Sequence, residues 1–267
     1  MKIDIQTEKP AYHQGEQVKG ELVITADEKG LSGDSITLKL NEYWWHDNPY
    51  GGQMGWGGTK LDEAVLQQTF DFPPGTEHRF PFTLQLTRNC RITRLAENGK
   101  GHEKCGFEVE LKGVKHKDRK HEFPLEVLPG REFLAIIEAC LKEFRMKEQE
   151  YSEVVRWTGD SDHRIELWFT SSNPRLVGFR IIQFQLLQTD DGGVKGKLDV
   201  GIDPSFANGL WQRFWALFGI GSGDTRPFQL TNSQVFLPDG TPNHSAIAGA
   251  IEEIIESVMA PRRKRAF

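Results

Sequence analysis

Two periodicities divide this chain. Up to residue 128, apolar side chains recur at every second position; in the segment that follows Pro129 and Gly130 they recur at every third or fourth. In QVKGELVI, Val18, Gly20, Leu22 and Ile24 alternate with Lys19 and Glu21. DSITLKLNEYWW repeats the pattern with Ile36, Leu38 and Leu40, HRFPFTLQL with Phe80, Phe82, Leu84 and Leu86, and CGFEVELKGV with Phe107, Val109 and Leu111. AVLQQTFDF and HEFPLEVL complete the set. Alternation with period 2 marks strands that bury one face. Several such strands, separated by turn residues, predict a β-sandwich.

In PGREFLAIIEACLKEFRMK, Phe133, Ile137, Leu141 and Phe144 fall at helical spacing, with Pro129 and Gly130 at the start. The change of period predicts a domain boundary here: a first sandwich over 1–128, a linker helix and second sandwich over 129–241, and a terminal helix with a basic tail over 242–267. Strands are expected in EYSEVVRW, HRIELWFT, LVGFRIIQFQLLQT, GKLDVGID and PFQLTNSQVFL. Between the last two, SFANGLWQRFWALFGIG sets Leu210, Phe214, Leu217 and Phe218 on one helical face. In PNHSAIAGAIEEIIESVM, Ile247, Ile251, Ile254, Ile255 and Val258 form a stripe, with Pro242 and Asn243 or Ser245 as start signals.

Of the 267 residues, 37% are apolar and 27% charged, as in a globular chain. A net charge of -5 and a pI of about 5.9 argue against nucleic acid as a partner. No run reaches the roughly 18 apolar residues of a membrane span, and MKIDIQTEK has no apolar signal core. Cys90, Cys105 and Cys140 are an odd, widely spaced set, which fits free thiols and a cytoplasmic location; whether Cys90 and Cys105 pair stays open.

Metal spacing is poor. His116 and His121 belong to a charged hairpin tip, KHKDRKH, while His102, Glu103 and Cys105, even with Cys90, lack a second close ligand pair. There is no G-x-S-x-G and no H-E-x-x-H. Asp190 and Asp191 precede two glycines, as in a turn, and Asp160 and Asp162 read the same way. The expectation is no catalytic residue, no metal and no cofactor.

Three stretches suggest contacts. EYWWHDNPYGGQMGWGG carries Trp44, Trp45, Tyr50, Met54 and Trp56 among glycines, and aromatics with Met are enriched at interface cores. Its segment from His46 to Thr59 is expected to be a mobile, exposed loop. LWQRFWALF, with Trp211 and Trp215, is apolar nearly all round and suits burial between domains or a docking surface. The terminal stripe suits an association helix, joining a second copy into a homo-oligomer or docking on its own body.

Tyr12, Gly15, Glu16, Val18 and Gly20, in KPAYHQGEQVKGELVI, resemble an arrestin-type start. CGFEVELKGVKHKDRKHEFPLEVLP, then REFLAIIEACLKEFRMKEQEYSE, then KGKLDVGIDPSFANGLWQRFWALFGIGSGD resemble, in that order, the bacterial sporulation-control (stage-zero M) family, over most of residues 1 to about 236. The resemblance implies a mainly all-β fold: two tandem arrestin-like β-sandwich domains with a linker helix, a short apolar helix in the second domain and a C-terminal helix. It implies a non-enzymatic adaptor or regulatory protein that binds an unknown protein or peptide partner through sandwich edges and loops. The alternatives are a lectin-like or small-ligand module, which the Trp-rich stretch would suit, a self-assembling structural protein, and an enzyme with an unrecognised site.

Overall fold

The computed structural model describes residues 1–46, 55–93, 104–114, 119–144, 146–148, 165–171, 179–202 and 224–263; of 44–46, 55–57, 119, 146–148, 165–171, 179–181, 183, 202, 224 and 261–263 it describes the backbone alone. The chain divides into two compact units, Met1–Gly130 and Arg131–Phe267.

The first unit contains β1 (Lys2–Thr7), β2 (Ala11–His13), β3 (Gln17–Thr25), β4 (Leu31–His46), β5 (Gly55–Phe72), β6 (Glu77–Gln85), β7 (Lys104–Lys112) and β8 (Arg119–Leu128). They form a three-stranded sheet, β1-β3-β6, and a five-stranded sheet, β2-β8-β7-β4-β5. All pairs are antiparallel except β2 with β8. The period-2 residues do what their spacing predicts. Val18, Leu22, Ile24, Phe82 and Leu84 from one sheet meet Ile36, Leu38, Leu40, Phe107, Val109 and Leu111 from the other in one buried core. The rings of Phe82 and Phe107 cross it edge to face, 5.5 Å apart.

The opening hairpin is tied by side chains. Tyr12 is buried, and its hydroxyl donates to the Lys19 carbonyl and accepts from the Lys9 N–H, both at 3.1 Å. Glu16 accepts from the His13 N–H (3.0 Å) and from Lys9 Nζ (3.1 Å). Partial burial raises the Glu16 pKa, but these two partners leave it net below the usual carboxylate range. Gly15 turns the chain at φ +80°, and a Cβ on Gly20 would strike the Gln6 carbonyl oxygen of β1.

The second unit contains α1 (Arg131–Glu143), β9 (Met146–Glu148), β10 (Ile165–Ser171), β11 (Phe179–Gln188), β12 (Val194–Ile202), β13 (Asp224–Leu230), α2 (Asn232–Val235) and α3 (His244–Arg263). Its sheet is antiparallel in the order β13-β12-β11-β10-β9. Ile182, Phe184, Leu186, Leu198, Val200, Phe228 and Leu230 are buried from three of these strands. Thr189, Asp190 and Asp191 lead into the expected turn, closed by Gly192 at φ +80°.

Helix α3 packs on α1. Asn243 caps it, its Oδ1 accepting from the Ala246 N–H at 3.3 Å. Ile247, Ile251, Ile255, Val258 and Met259 are fully buried and Ile254 half-buried. Of the two uses expected for the apolar stripe, a second copy or its own body, the helix shows the second: the stripe is covered within its own unit. Glu138 of α1 ties the helices further, accepting from Lys142 Nζ (2.9 Å) and lying 3.1 Å from His244 Nε2.

Three expectations need correction. Leu141 is 37% exposed: the buried stripe of α1 centres on Phe133, Ile136, Ile137 and Cys140, which leaves Leu141 at its margin. PFQLTNSQVFL is not one strand, because Thr231 and Gln234 stand at capping-box spacing and start the short α2; the Thr231 N–H donates to Gln234 Oε1 at 2.9 Å. His121 is in β8, opposite Val109, rather than in a hairpin tip. The expected strand EYSEVVRW, from Glu150 to Trp157, lies outside the described residues.

Candidate functional site

β4 pairs with β7 as far as Tyr43–Lys104, and from Trp44 to His46 the one strand paired with β4 among the described residues is β5. There Trp44 faces Gly57 and Trp45 faces Trp56 in the backbone register. This corrects the loop expected over His46–Thr59: β4 continues through His46, and Gly55 to Thr59 belong to β5. Two cross-strand tryptophan positions therefore sit on a paired ribbon. Tyr50, Met54, Trp211 and Trp215 lie outside the described residues.

At the base of this ribbon is a groove of about 690 Å³. It is lined by Gly106 and Pro124, which face each other in the register of β7 and β8, together with Tyr43, Lys104, Glu122, Glu126 and Pro10. Gly106 is required there, since an added Cβ would strike the Phe123 carbonyl oxygen. The Tyr43 hydroxyl accepts from Asn41 Nδ2 at 3.0 Å, which leaves its own proton to donate. Burial raises the Tyr43 pKa, and the carboxylates of Glu122 and Glu108 add to the rise, so the phenol stays protonated at neutral pH. Beside the groove, Lys39 bridges Glu110 (2.6 Å) and Glu108 (3.5 Å), and Lys120 reaches Glu108 at 3.3 Å.

Beneath the same end of the sandwich lies a buried polar cluster. Glu42 is 1% and Arg91 3% exposed, and Glu42 Oε2 accepts from the Arg91 N–H at 2.9 Å. Gln14 donates to the Cys90 carbonyl and accepts from the Gly130 N–H at 3.0 Å, pinning the end of the first unit. Cys90, Cys105 and Cys140 are all free and buried. Burial, then the Glu42 charge, pushes the Cys105 thiol up to about 12, and burial also raises Cys90 and Cys140. None supplies a thiolate at neutral pH, which removes the ordinary cysteine nucleophile. Among the described residues no group of three or more His, Cys, Asp or Glu is placed to hold a metal ion. His102, Glu103 and His116 lie outside them. No described helix is long and apolar enough to cross a membrane.

The sequence singled out the ribbon but not the groove wall on β8. Glu122, Pro124 and Glu126 alternate with the core residues Leu125 and Val127, so their placement on one outer face was readable. That they share it with Gly106 and Tyr43 depends on register, which no local pattern prints.

No curated protein sequence matches the chain. Among solved structures it is similar to Spo0M, the sporulation control protein of Bacillus subtilis, with a TM-score of 0.68 and 18% identity over 96% of this chain and 98% of that one. At that identity the likeness speaks to the fold, and it supports the mainly all-β architecture. The family model for SpoOM protein matches residues 1–190, well over half of the chain, so the protein belongs to the Spo0M family.

Proposed function

We propose that this chain is a non-enzymatic regulatory adaptor that holds a protein or peptide partner in the groove at the base of the tryptophan ribbon. One observation carries the reading. The outer face of the five-stranded sheet is filled by charged side chains along Lys39, Glu108, Glu110 and Lys120, yet opens at Gly106 into a groove lined by Pro124 and Tyr43. Such a strip offers an incoming chain apolar area and a phenol donor, with acids at the rim to orient it. The inert thiols and the lack of a metal cluster among the described residues support binding over catalysis. The printed description of the B. subtilis protein, sporulation control, is in keeping with a regulatory role.

A photo-crosslinking amino acid at Glu122, on the exposed rim, tests this in the native cell. The expected result is a discrete protein adduct that is absent when the probe is at Glu253 on α3 and is lost in a Tyr43→Ala background. Equal labelling at the two sites, or no adduct at Glu122, overturns the proposal.

A further inference from the structure

Every sheet edge carries unpaired backbone groups, and proteins guard such edges against stray pairing. Most edges here are guarded. β5 has irregular register between Ile36 and Thr37 and between Leu40 and Asn41, and Thr69 stands at φ +42°. β6 carries Pro81 and gives the Gln85 N–H to Asp62 of β5 at 2.7 Å. β8 carries Pro124 beyond the three-residue β2, and β13 carries Pro227. β1 has none of these devices. Its six residues pair with β3 in unbroken register from Lys2–Thr25 to Thr7–Gly20, and among the described residues no strand pairs with its other side.

The register fixes which groups face outward. The Glu8 N–H donates to the Lys19 carbonyl at 3.0 Å, and these two residues continue the β1–β3 register as a hydrogen-bonded pair. Hydrogen-bonded and non-bonded pairs alternate along an antiparallel ladder. Lys2, Asp4 and Gln6 therefore turn their N–H and C=O groups to β3, and Ile3, Ile5 and Thr7 turn theirs away from it.

We propose that this edge pairs with the β1 edge of a second copy of the chain, antiparallel and with Ile5 on the two-fold axis. That register matches all three outward residues: Ile5 faces Ile5 and Ile3 faces Thr7, with two backbone hydrogen bonds in each facing pair. It sets Lys2 opposite Glu8 of the partner subunit and Asp4 opposite Gln6 of the partner subunit, so the edge is complementary to itself in charge. Ile3 and Ile5, half-buried at the core margin, would be covered further. The two three-stranded sheets would join into one of six strands. The contact is isologous and closes on itself, which also ends edge-to-edge growth. The terminal helix does not compete for this role, since its stripe is used internally.

One strand pair is smaller than a standard interface, so the dimer forms between about 10 μM and 1 mM. Sedimentation equilibrium on the full chain over that range tests it. Ile5→Pro removes the N–H on the axis but no bond to β3, and should give a monomer whose circular dichroism matches the parent, with a urea midpoint lowered only by the loss of the Ile5 contacts at the core margin. Lys2→Glu should weaken the dimer by about tenfold through repulsion at both ends of the pair. Lys2→Glu with Glu8→Lys should restore it, which a merely structural effect would not do. A chain that stays monomeric up to about 1 mM overturns the proposal, whatever else later pairs with β1. A dimer indifferent to both the proline and the charge reversal overturns it too. Should Ile5→Pro fail to fold, the exposed charge pair still decides the matter.

Discussion

Tyr12→Phe isolates what holds the opening hairpin together. The ring is 1% exposed and Phe fills the same volume, so no cavity opens and only the hydroxyl is lost. That hydroxyl joins two groups with different fallbacks. The Lys19 carbonyl keeps the Glu8 N–H at 3.0 Å and is not left bare. The Lys9 N–H, whose acceptor is Tyr12 Oη at 3.1 Å, is orphaned in a half-buried position. A neutral hydrogen bond contributes about 1 kcal/mol net, and stranding a buried donor costs about 1–3 kcal/mol. Half-burial places the expected loss near the lower end, about 1–2 kcal/mol. Urea unfolding followed by circular dichroism should show a lower midpoint for the first unit with an unchanged slope. Tyr12→Ala adds a cavity and should cost about 3–5 kcal/mol. A Tyr12→Phe loss below about 0.3 kcal/mol would show that water already serves Lys9 and that the hydroxyl is not the tie.

Ile251→Ala should destabilise the second unit by about 2–5 kcal/mol without changing the mass seen in solution, because Ile251 is fully buried within that unit; a change in oligomeric state with little loss of stability would show that the stripe serves another chain. For Glu138, the Lys142 hydrogen bond outweighs burial and, with His244, holds the carboxyl below its usual range. A depressed folded-state pKa gives stability that is present above the unfolded value, about 4.3, and lost as pH falls through the folded one. Glu138→Gln should therefore flatten the fall in urea midpoint of the second unit between pH 7 and pH 3, and an identical pH profile in the variant would refute the linkage.

The sandwich core was legible because alternation is a local signal. Ile36, Leu38 and Leu40 need no partner to declare which face they share, and all three are fully buried. Gly20 falls in phase with the buried residues of β3, and the Gln6 carbonyl oxygen of β1 occupies the space a side chain there would need. The failures share one cause, competition that resolves only in three dimensions. Glycines at 55, 57 and 58 carry a loop signal, yet pairing with β4 holds them in β5. Leu141 satisfies helical spacing as well as Cys140, and the choice falls to what α1 packs against. Glu42 continues the Ile36, Leu38 and Leu40 alternation onto the buried face despite its charge, and there the Arg91 N–H meets it.

The tryptophan ribbon and the groove share one end of the five-stranded sheet. Among the described residues the pairing of β4 with β5 continues to His46–Gly55, three residues beyond the Tyr43–Lys104 pair of β4 with β7. A two-stranded ribbon is marginal in water by itself, because each strand lacks a second neighbour. Where β7 gives out, Thr93 takes over beside β8, its Oγ1 accepting from the Val127 N–H at 2.8 Å and its own N–H donating to the Val127 carbonyl at 2.9 Å. Among the described residues, then, β4 is paired with β5 alone beyond Tyr43 while β8 is still held by Thr93, and both Tyr43 and Thr93 line the groove. Charge then decides what lies below it. A carboxylate and a guanidinium buried at the 1% and 3% level would be costly in a plain sandwich core. At this end Glu42 accepts from the Arg91 N–H and Gln14 donates to the Cys90 carbonyl, in the stretch that leads to Thr93. A recess beside a paired aromatic ribbon is a binding geometry that hydrophobic packing alone does not produce.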